Sequence, residues 1–352
     1  MFDMITIGSA TRDIFIETNK AQILSLKDIE EKSELYCLKY GEKIEIDECS
    51  FEIGGGGVNM AVAYANLGLN TATLVKIGDG FNSNAVIKRI EEKNIDKTLI
   101  IRTSEFRTGF SVILTSFEGD RTVLAHRGAN SHIREDEINW EFMKNTKWIH
   151  CAPLSGESNK LLDKIMNFAI TNNIKTAYNP GGADLKRGLF DLEVVLKSVN
   201  VLVLNTSEAS KLTGIVERTE TKYDSGTQKP INICVKEMLY KLKEYVPEIV
   251  VITDGKYGIY AFDGDNFYYL PPFPTKLLST LGAGDAFAST FTGCLIKCNG
   301  DIEKSIALAS INASFVVQVY SAQRALRTYE ELENIYKKET GYRTLKLKPE
   351  DA

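Results

Sequence analysis

Short apolar runs rich in β-branched residues recur along the chain, at residues 4–7, 73–77, 148–151, 176–178, 201–204 and 249–253. Between them apolar positions repeat at helical spacing, as in residues 161–170 and 235–245. A strand followed by a helix, repeated, predicts an α/β fold with three layers, a mainly parallel sheet with helices on both faces. Ligands of such sheets bind beyond the carboxyl ends of the strands. Gly8-Ser9, Gly78, Asn179-Pro180-Gly181, Asn205 and Asp254-Gly255 all follow predicted strands, so they are expected along one sheet edge.

Two stretches break the alternation. Residues 110–117, a turn at Glu118-Gly119-Asp120-Arg121 and residues 122–126 read as a β-hairpin. Residues 14–51 hold further strand-like pieces at 35–40 and 43–51. Together they predict a small antiparallel sheet that projects from the main domain. A sheet with one apolar face must cover something, and a substrate cleft, the main core and a second subunit all qualify. The main domain is expected from residues 1–13, 52–107 and 128–340, the projecting sheet from 14–51 and 108–127, and a peripheral polar tail from 341–352. Residues 216–230, rich in charge, Thr and Gly, read as a surface loop or insertion.

The most informative run is Ser279-Thr280-Leu281-Gly282-Ala283-Gly284-Asp285-Ala286-Phe287. Phe287, Phe291, Cys294, Leu295 and Cys298 follow at helical spacing, so Gly282, Ala283 and Gly284 lie where a helix starts. The first backbone N–H groups of a helix lack internal partners and carry the positive end of its dipole. Small residues let an anion approach them closely. An aspartate beside such an anion hole can accept a proton from a substrate hydroxyl, as phosphoryl transfer requires. A glycine-rich helix start with Asp285 as a dipole partner is the plainer alternative. A second cluster, Gly54-Gly55-Gly56-Gly57-Val58-Asn59, opens another helix, whose apolar face runs through Val58, Ala61, Val62, Ala65 and Leu69 and which Gly68 stops. Four successive glycines cost backbone entropy, and close approach of a ligand to bare backbone is one explanation. Asn205 and Glu208, three apart, either face one site or form an ordinary helix cap.

These runs resemble the two signature motifs of the ribokinase (pfkB) family of carbohydrate and nucleoside kinases. Further matches stand between them in the family's order: Gly8-Ser9-Ala10-Thr11-Arg12-Asp13, Ile77-Gly78-Asp79-Gly80, Asn205-Thr206-Ser207-Glu208 and Thr253-Asp254-Gly255-Lys256-Tyr257-Gly258. The resemblance spans about residues 1–325 and implies a ribokinase-like fold whose small sheet is a lid over the substrate, often paired with another subunit's lid. It implies an ATP-dependent phosphotransferase acting on an alcohol group of a small sugar or nucleoside. Asp285 would be the general base, with Gly282, Ala283 and Gly284 as the anion hole. Asp13, Gly55, Gly56 and Asn59 would bind substrate, although Arg12 beside Asp13 offers it a surface ion pair instead. Asn205, Glu208, Thr253, Gly255, Gly258 and Asn312 would serve the nucleotide, with Glu208 holding Mg²⁺ through water. Arg127 and Asn130 after the hairpin are open to either a substrate or a hinge role. A homodimer through the lid is compatible with this reading, and so is a non-catalytic sugar- or nucleotide-binding regulator on the same fold.

Composition agrees with a globular enzyme. The chain has 352 residues, is 43% hydrophobic and 25% charged, and so can bury a sizeable core. Its net charge of -5 and pI of about 5.5 argue against a nucleic-acid surface. No apolar run reaches membrane-spanning length, no secretory signal opens the chain, and the six scattered cysteines read as reduced thiols, so a cytoplasmic location is expected. Two departures from the family narrow the chemistry. Gly56 stands where ribokinase-type and sugar-phosphate members commonly have lysine, which disfavours an anionic sugar phosphate and leaves neutral sugars, sugar acids and nucleosides. Ser279 stands where potassium-activated members carry a carboxylate, and Ser321-Ala322-Gln323 lacks the usual glycine. Replacing sodium by potassium in a turnover assay is therefore expected to change the rate little. A large gain would show that Ser279 and the 321–323 loop suffice for a cation site.

Overall fold

The computed structural model describes residues 1–27, 32–115, 121–217, 221–223 and 230–349. Residues 118–120 of the expected turn, and 218–220 and 224–229 of the expected loop, lie outside them. What is described of that loop includes a two-stranded ribbon, Thr221–Tyr223 against Pro230–Asn232.

The core sits on a nine-stranded sheet. Thr71–Leu74, Met4–Ile7, Trp148–Cys151, Lys175–Tyr178, Val201–Asn205 and Ile249–Thr253 pair in parallel, in that spatial order. Each strand is buried on both faces, which explains runs of apolar residues without polar alternation. In Val201–Asn205, Leu202 and Leu204 pack with Val235, Met238 and Leu239 on one side, while Val201 and Val203 pack with Phe287, Phe291 and Ile306 on the other. The sheet then continues with three antiparallel strands, Ile259–Phe262, Phe267–Leu270 and Leu345–Leu347. These were not among the expected strands. Asp263-Gly264 makes the first turn: the Asp263 carboxylate accepts the N–H groups of Asp265 and Asn266, and Gly264 takes a positive φ of 105°. The tail, expected to be peripheral, supplies the edge strand of the main sheet.

A second sheet of four strands has the order Arg121–His126, Gly109–Thr115, Thr11–Glu17, Glu48–Gly54. Its two central strands are parallel and the outer pairings antiparallel, so the sheet is mixed rather than wholly antiparallel. Register puts Asp13 opposite both Glu52 and Ser111, on one face with Phe15. The other face carries Ile14, Phe51, Val112 and Leu124, of which Phe51 and Leu124 are 53% and 57% exposed. A separate ribbon pairs Gln22–Lys27 with Lys32–Cys37. Among the described residues no helix is long and apolar enough to cross a membrane.

The two sheets meet at a hinge that Asn130 clamps. Its Oδ1 accepts the Ala10 N–H and its Nδ2 donates to the Ala10 carbonyl, both at 2.9 Å. Asn130 is buried, while Arg127 is exposed at the start of the turn. Asn130→Ala strands two buried backbone groups of Ala10 and is expected to lower unfolding stability in urea by about 1–3 kcal/mol. A variant as stable as wild type would show that the clamp does not hold the hinge.

Candidate functional site

The helix Ala283–Lys297 begins at Gly282, whose φ of 77° and ψ of -2° are left-handed. A Cβ there would lie 2.3 Å from the Ala322 Cβ, so both conformation and space demand glycine. Ala283 N–H donates to the Thr280 carbonyl at 3.3 Å. Among the described residues the N–H groups of Gly282, Gly284 and Asp285 have no acceptor, and the space a Gly284 side chain would take is open. The N–H groups of Gly282, Gly284 and Asp285 are therefore available to an anion, while that of Ala283 is taken by Thr280. Asp285 occupies the third position of the helix and is partly accessible.

The glycine quartet has a different physical reason from the one expected. A Cβ on Gly54 would fall 1.9 Å from Asp13 Oδ2, on Gly55 2.5 Å from the Ser9 carbonyl oxygen, and on Gly57 2.9 Å from Val75 Cγ1 and 3.0 Å from the Gly8 carbonyl carbon. The chain packs against itself at these three positions, and Gly55 also has a φ of 90°. Gly56 is crowded as well, with the Ala152 Cβ 2.9 Å from where its own Cβ would stand, but it also faces Asp285, whose Oδ1 lies 3.6 Å from that position. From the helix that follows, Gly56–Asn66, Asn59 donates its Nδ2 to Asp285 Oδ2 at 2.9 Å. The two glycine motifs are thus joined side chain to side chain. Asn59, expected on the substrate, is here a partner of Asp285. Burial raises the Asp285 carboxyl above its usual range; the Asn59 hydrogen bond opposes the rise, and the charge of Asp13 adds to it.

Asp13 points from the inner face of the second sheet, accepting Thr11 Oγ1 at 2.9 Å and a hydrogen bond from Ser111. Burial again raises its carboxyl, with the Glu52 charge adding to the effect. Arg12 does not pair with it. Neighbouring strand residues face opposite ways, and the Arg12 guanidinium lies 5.4 Å from the centre of the Phe51 ring.

Asn205 and Glu208 form a reciprocal cap on the helix Thr206–Thr213: Glu208 N–H donates to Asn205 Oδ1 and Asn205 N–H to Glu208 Oε2, each at 2.9 Å. Burial raises the Glu208 carboxyl, and the Asp285 charge contributes, so the cap and the start of the Ala283–Lys297 helix share one electrostatic region. Among the described residues no cluster of three His, Cys, Asp or Glu could cage a metal. One capped carboxylate fits a magnesium ion that keeps its waters and travels with phosphate. Thr253 ends its strand at the same edge, and Gly255 and Gly258 take positive φ values of 50° and 110° around a short turn. Asn312 does not open on the site. It is fully buried in the helix Ile302–Val316, donates Nδ2 to Thr290 Oγ1 and accepts the Arg327 N–H, so it is a core tie rather than a nucleotide ligand.

Several site residues escaped the sequence. Asp254 accepts Thr206 Oγ1 at 2.7 Å and Asn232 Nδ2 at 3.1 Å, drawing two helix starts to the strand end; its place beside Gly255 was the available signal. Gln323 donates to Asn59, and buried Glu52 pairs with Arg324 and accepts the Ser321 hydroxyl. Arg121, on the inner face of the second sheet, donates to Thr280 Oγ1 at 2.5 Å, so that sheet touches the anion-hole loop. No local pattern marks these contacts.

The sequence profile of the pfkB family carbohydrate kinases matches residues 23–328. Ribokinase of Staphylococcus aureus (strain COL) is 26% identical over 324 residues, covering 90% of this chain and 100% of that protein. The 5-dehydro-2-deoxygluconokinase of Clostridium perfringens (strain 13 / Type A) is 26% identical over 302 residues, 82% of this chain and 84% of that one. Among solved structures, Arabidopsis thaliana ribokinase complexed with ribose and ATP superposes with a TM-score of 0.75 at 18% identity, covering 96% of this chain and 99% of that one. With the motifs in order on a shared fold and the profile spanning most of its length, this chain belongs to the pfkB family of carbohydrate kinases.

Proposed function

We propose that this chain transfers the γ-phosphate of ATP to an alcohol group of a small sugar or nucleoside, with Asp285 as general base and Asp13 as the principal substrate anchor. The observation that carries it is the Asn59–Asp285 hydrogen bond, which sets the base between the substrate-side glycine motif and the free N–H groups of the anion hole. Asp13 accepts substrate hydroxyls and orients the attacking oxygen. Asp285 takes its proton, and a carboxyl raised above the usual range is the stronger base for that task. The N–H groups of Gly282, Gly284 and Asp285 receive the charge that builds on the transferred group. Magnesium, bound with the nucleotide and facing Glu208 through water, would neutralise phosphate charge. Thr253, Asp254, Gly255 and Gly258 shape the nucleotide side.

The mixed sheet serves as the lid, with Arg121 to Thr280 as its contact to the anion-hole loop in the closed form. Its apolar outer face, with Phe51 and Leu124 exposed, is suited to a second copy of the chain. A neutral sugar, a sugar acid or a nucleoside fits a site in which Gly56 supplies no cation. Six unpaired cysteines suit a cytoplasmic setting.

Asp285→Asn keeps the hydrogen bond from Asn59 but removes basicity, so kcat is expected to fall at least about 100-fold while calorimetric ATP affinity stays close to wild type. The same variant should melt at higher temperature near neutral pH. The folded carboxyl holds its proton more tightly than the unfolded one, so stability falls as pH rises from the ordinary carboxylate range through the folded value, and the ionised group is a net cost above it. For the same reason the acid limb of the wild-type rate should lie above the usual carboxylate range. Wild-type turnover in Asp285→Asn would remove the base assignment.

A panel of sugars and nucleosides with ATP and Mg²⁺ tests the function itself: slow ATP hydrolysis alone and much faster turnover with one class of acceptor are expected, whereas a regulator would turn over none. With the acceptor found, Asp13→Ala should raise its KM and lower kcat together without changing nucleotide binding. Loss of ATP binding with an unchanged acceptor KM would place Asp13 on the nucleotide side.

A further inference from the structure

A chain of three hydrogen bonds leads from the carboxylate read as the general base to the helix Phe81–Glu92. Arg89 Nη1 donates to Gln323 Oε1 at 2.9 Å, Gln323 Nε2 donates to Asn59 Oδ1 at 2.8 Å, and Asn59 Nδ2 donates to Asp285 Oδ2 at 2.9 Å. Asn59 and Gln323 are 7% and 3% exposed, so water does not readily replace a missing partner.

An amide can point either way, and its two ends are nearly the same shape. Here the ends of the chain remove the choice. A guanidinium only donates, and an ionised carboxylate only accepts. With those ends fixed, both amides must run in one direction; inverting either one sets oxygen against oxygen or N–H against N–H at two buried contacts. The loop that carries Gln323 is itself pinned. Ser321 Oγ accepts the N–H groups of Gln323 and Arg324 and donates its hydroxyl to Glu52, and Arg324 pairs with the same carboxylate.

We propose that Gln323 and Arg89 are positioning residues that hold Asn59 with its N–H, not its carbonyl oxygen, on the catalytic carboxylate. The inference rests on the reading of Asp285 as general base. Other charged groups act on Asp285 as well, namely Asp13 from the lid and Glu208 from the neighbouring helix start, and Arg89 also lies 3.4 Å from Glu92. None of these sets the direction of the Asn59 amide. Inverted, Asn59 would face Asp285 with an acceptor, favour the protonated acid and leave the base unable to take the substrate proton.

Two substitutions at one position separate this role from simple packing. Gln323→Glu keeps the shape and strengthens the bond to Arg89, but it cannot donate to Asn59, whose N–H is drawn round to the new carboxylate. Gln323→Leu leaves Arg89 without this partner and leaves Asn59 free to remain as it is. The expected order is a loss of about 10–100-fold in kcat for Gln323→Glu, with the acid limb of kcat/KM moved to higher pH, and a smaller loss for Gln323→Leu. ATP affinity should stay within about 2-fold in both. A packing role gives the opposite order, and that order, or an unmoved acid limb in Gln323→Glu, overturns the proposal. Should either variant fail to fold, Arg89→Lys, which keeps a donor-only cation, should retain the wild-type acid limb, and Arg89→Met should shift it; equal limbs overturn the proposal. Asp285→Asn measured alongside distinguishes the two levels. If it is inactive, the base stands and the Gln323 order alone decides; if it turns over, both readings fall.

Discussion

The hydrogen bond from Asn59 to Asp285 joins residues 226 positions apart in the chain. The helix start that carries Asp285 does not hold that charge alone. An aspartate at the third position of a helix gains from the dipole, but burial in a cleft beside Asp13 and Glu208 works against its ionisation. A neutral donor, the Asn59 amide, tempers that opposition without neutralising the carboxylate. The rest of the architecture serves the juncture. The parallel strands bring Asn205 and Thr253 to one edge, close packing at Gly54, Gly55 and Gly57 brings the second helix start within reach, and the lid strand brings Asp13 above it.

This arrangement sets function against stability. Asp13, Glu52, Glu208 and Asp285 crowd carboxylates into one region, and for Asp13, Glu208 and Asp285 burial is the leading reason their protons are held more firmly. A fold optimised only for stability would not keep three such groups. The cost is borne by a large core on both sheet faces and by local ties such as Asn130 on Ala10.

Much of the architecture was legible because it is written in local periodicity. Apolar runs without alternation mark strands buried on both faces, and glycine before an apolar helical pattern marks both helix starts. The antiparallel edge escaped because Ile259–Phe262 and Phe267–Leu270 resemble the other apolar runs, and only Asp263-Gly264 between them distinguishes a hairpin. Among the candidate site residues, Asp285 and the Asn205–Glu208 pair stand out in the sequence because spacing and chemistry coincide. Glu52, Arg89 and Gln323 do not. Each reads as an ordinary polar residue until the fold brings distant segments together, 269 positions apart for Glu52 and Ser321 and 234 for Arg89 and Gln323. Asn312 misled in the other direction, since a polar residue in an apolar helix can tie the core together as readily as it can meet a ligand.

The edge strand Leu345–Leu347 has a bearing on solubility. Phe267–Leu270 is a fully buried strand of three aromatic residues and a leucine whose outer row of N–H and C=O groups would otherwise be a template for another chain. Three residues of the tail occupy that row, and Lys346 and Lys348 put charge on the new boundary, one near Glu303 and the other bonded to Asn266. The short, lysine-flanked strand gives a would-be partner little length to pair with and a repulsive cation at each attempt. Protection against self-association through this edge of the main sheet is thus delegated to a few residues of the tail.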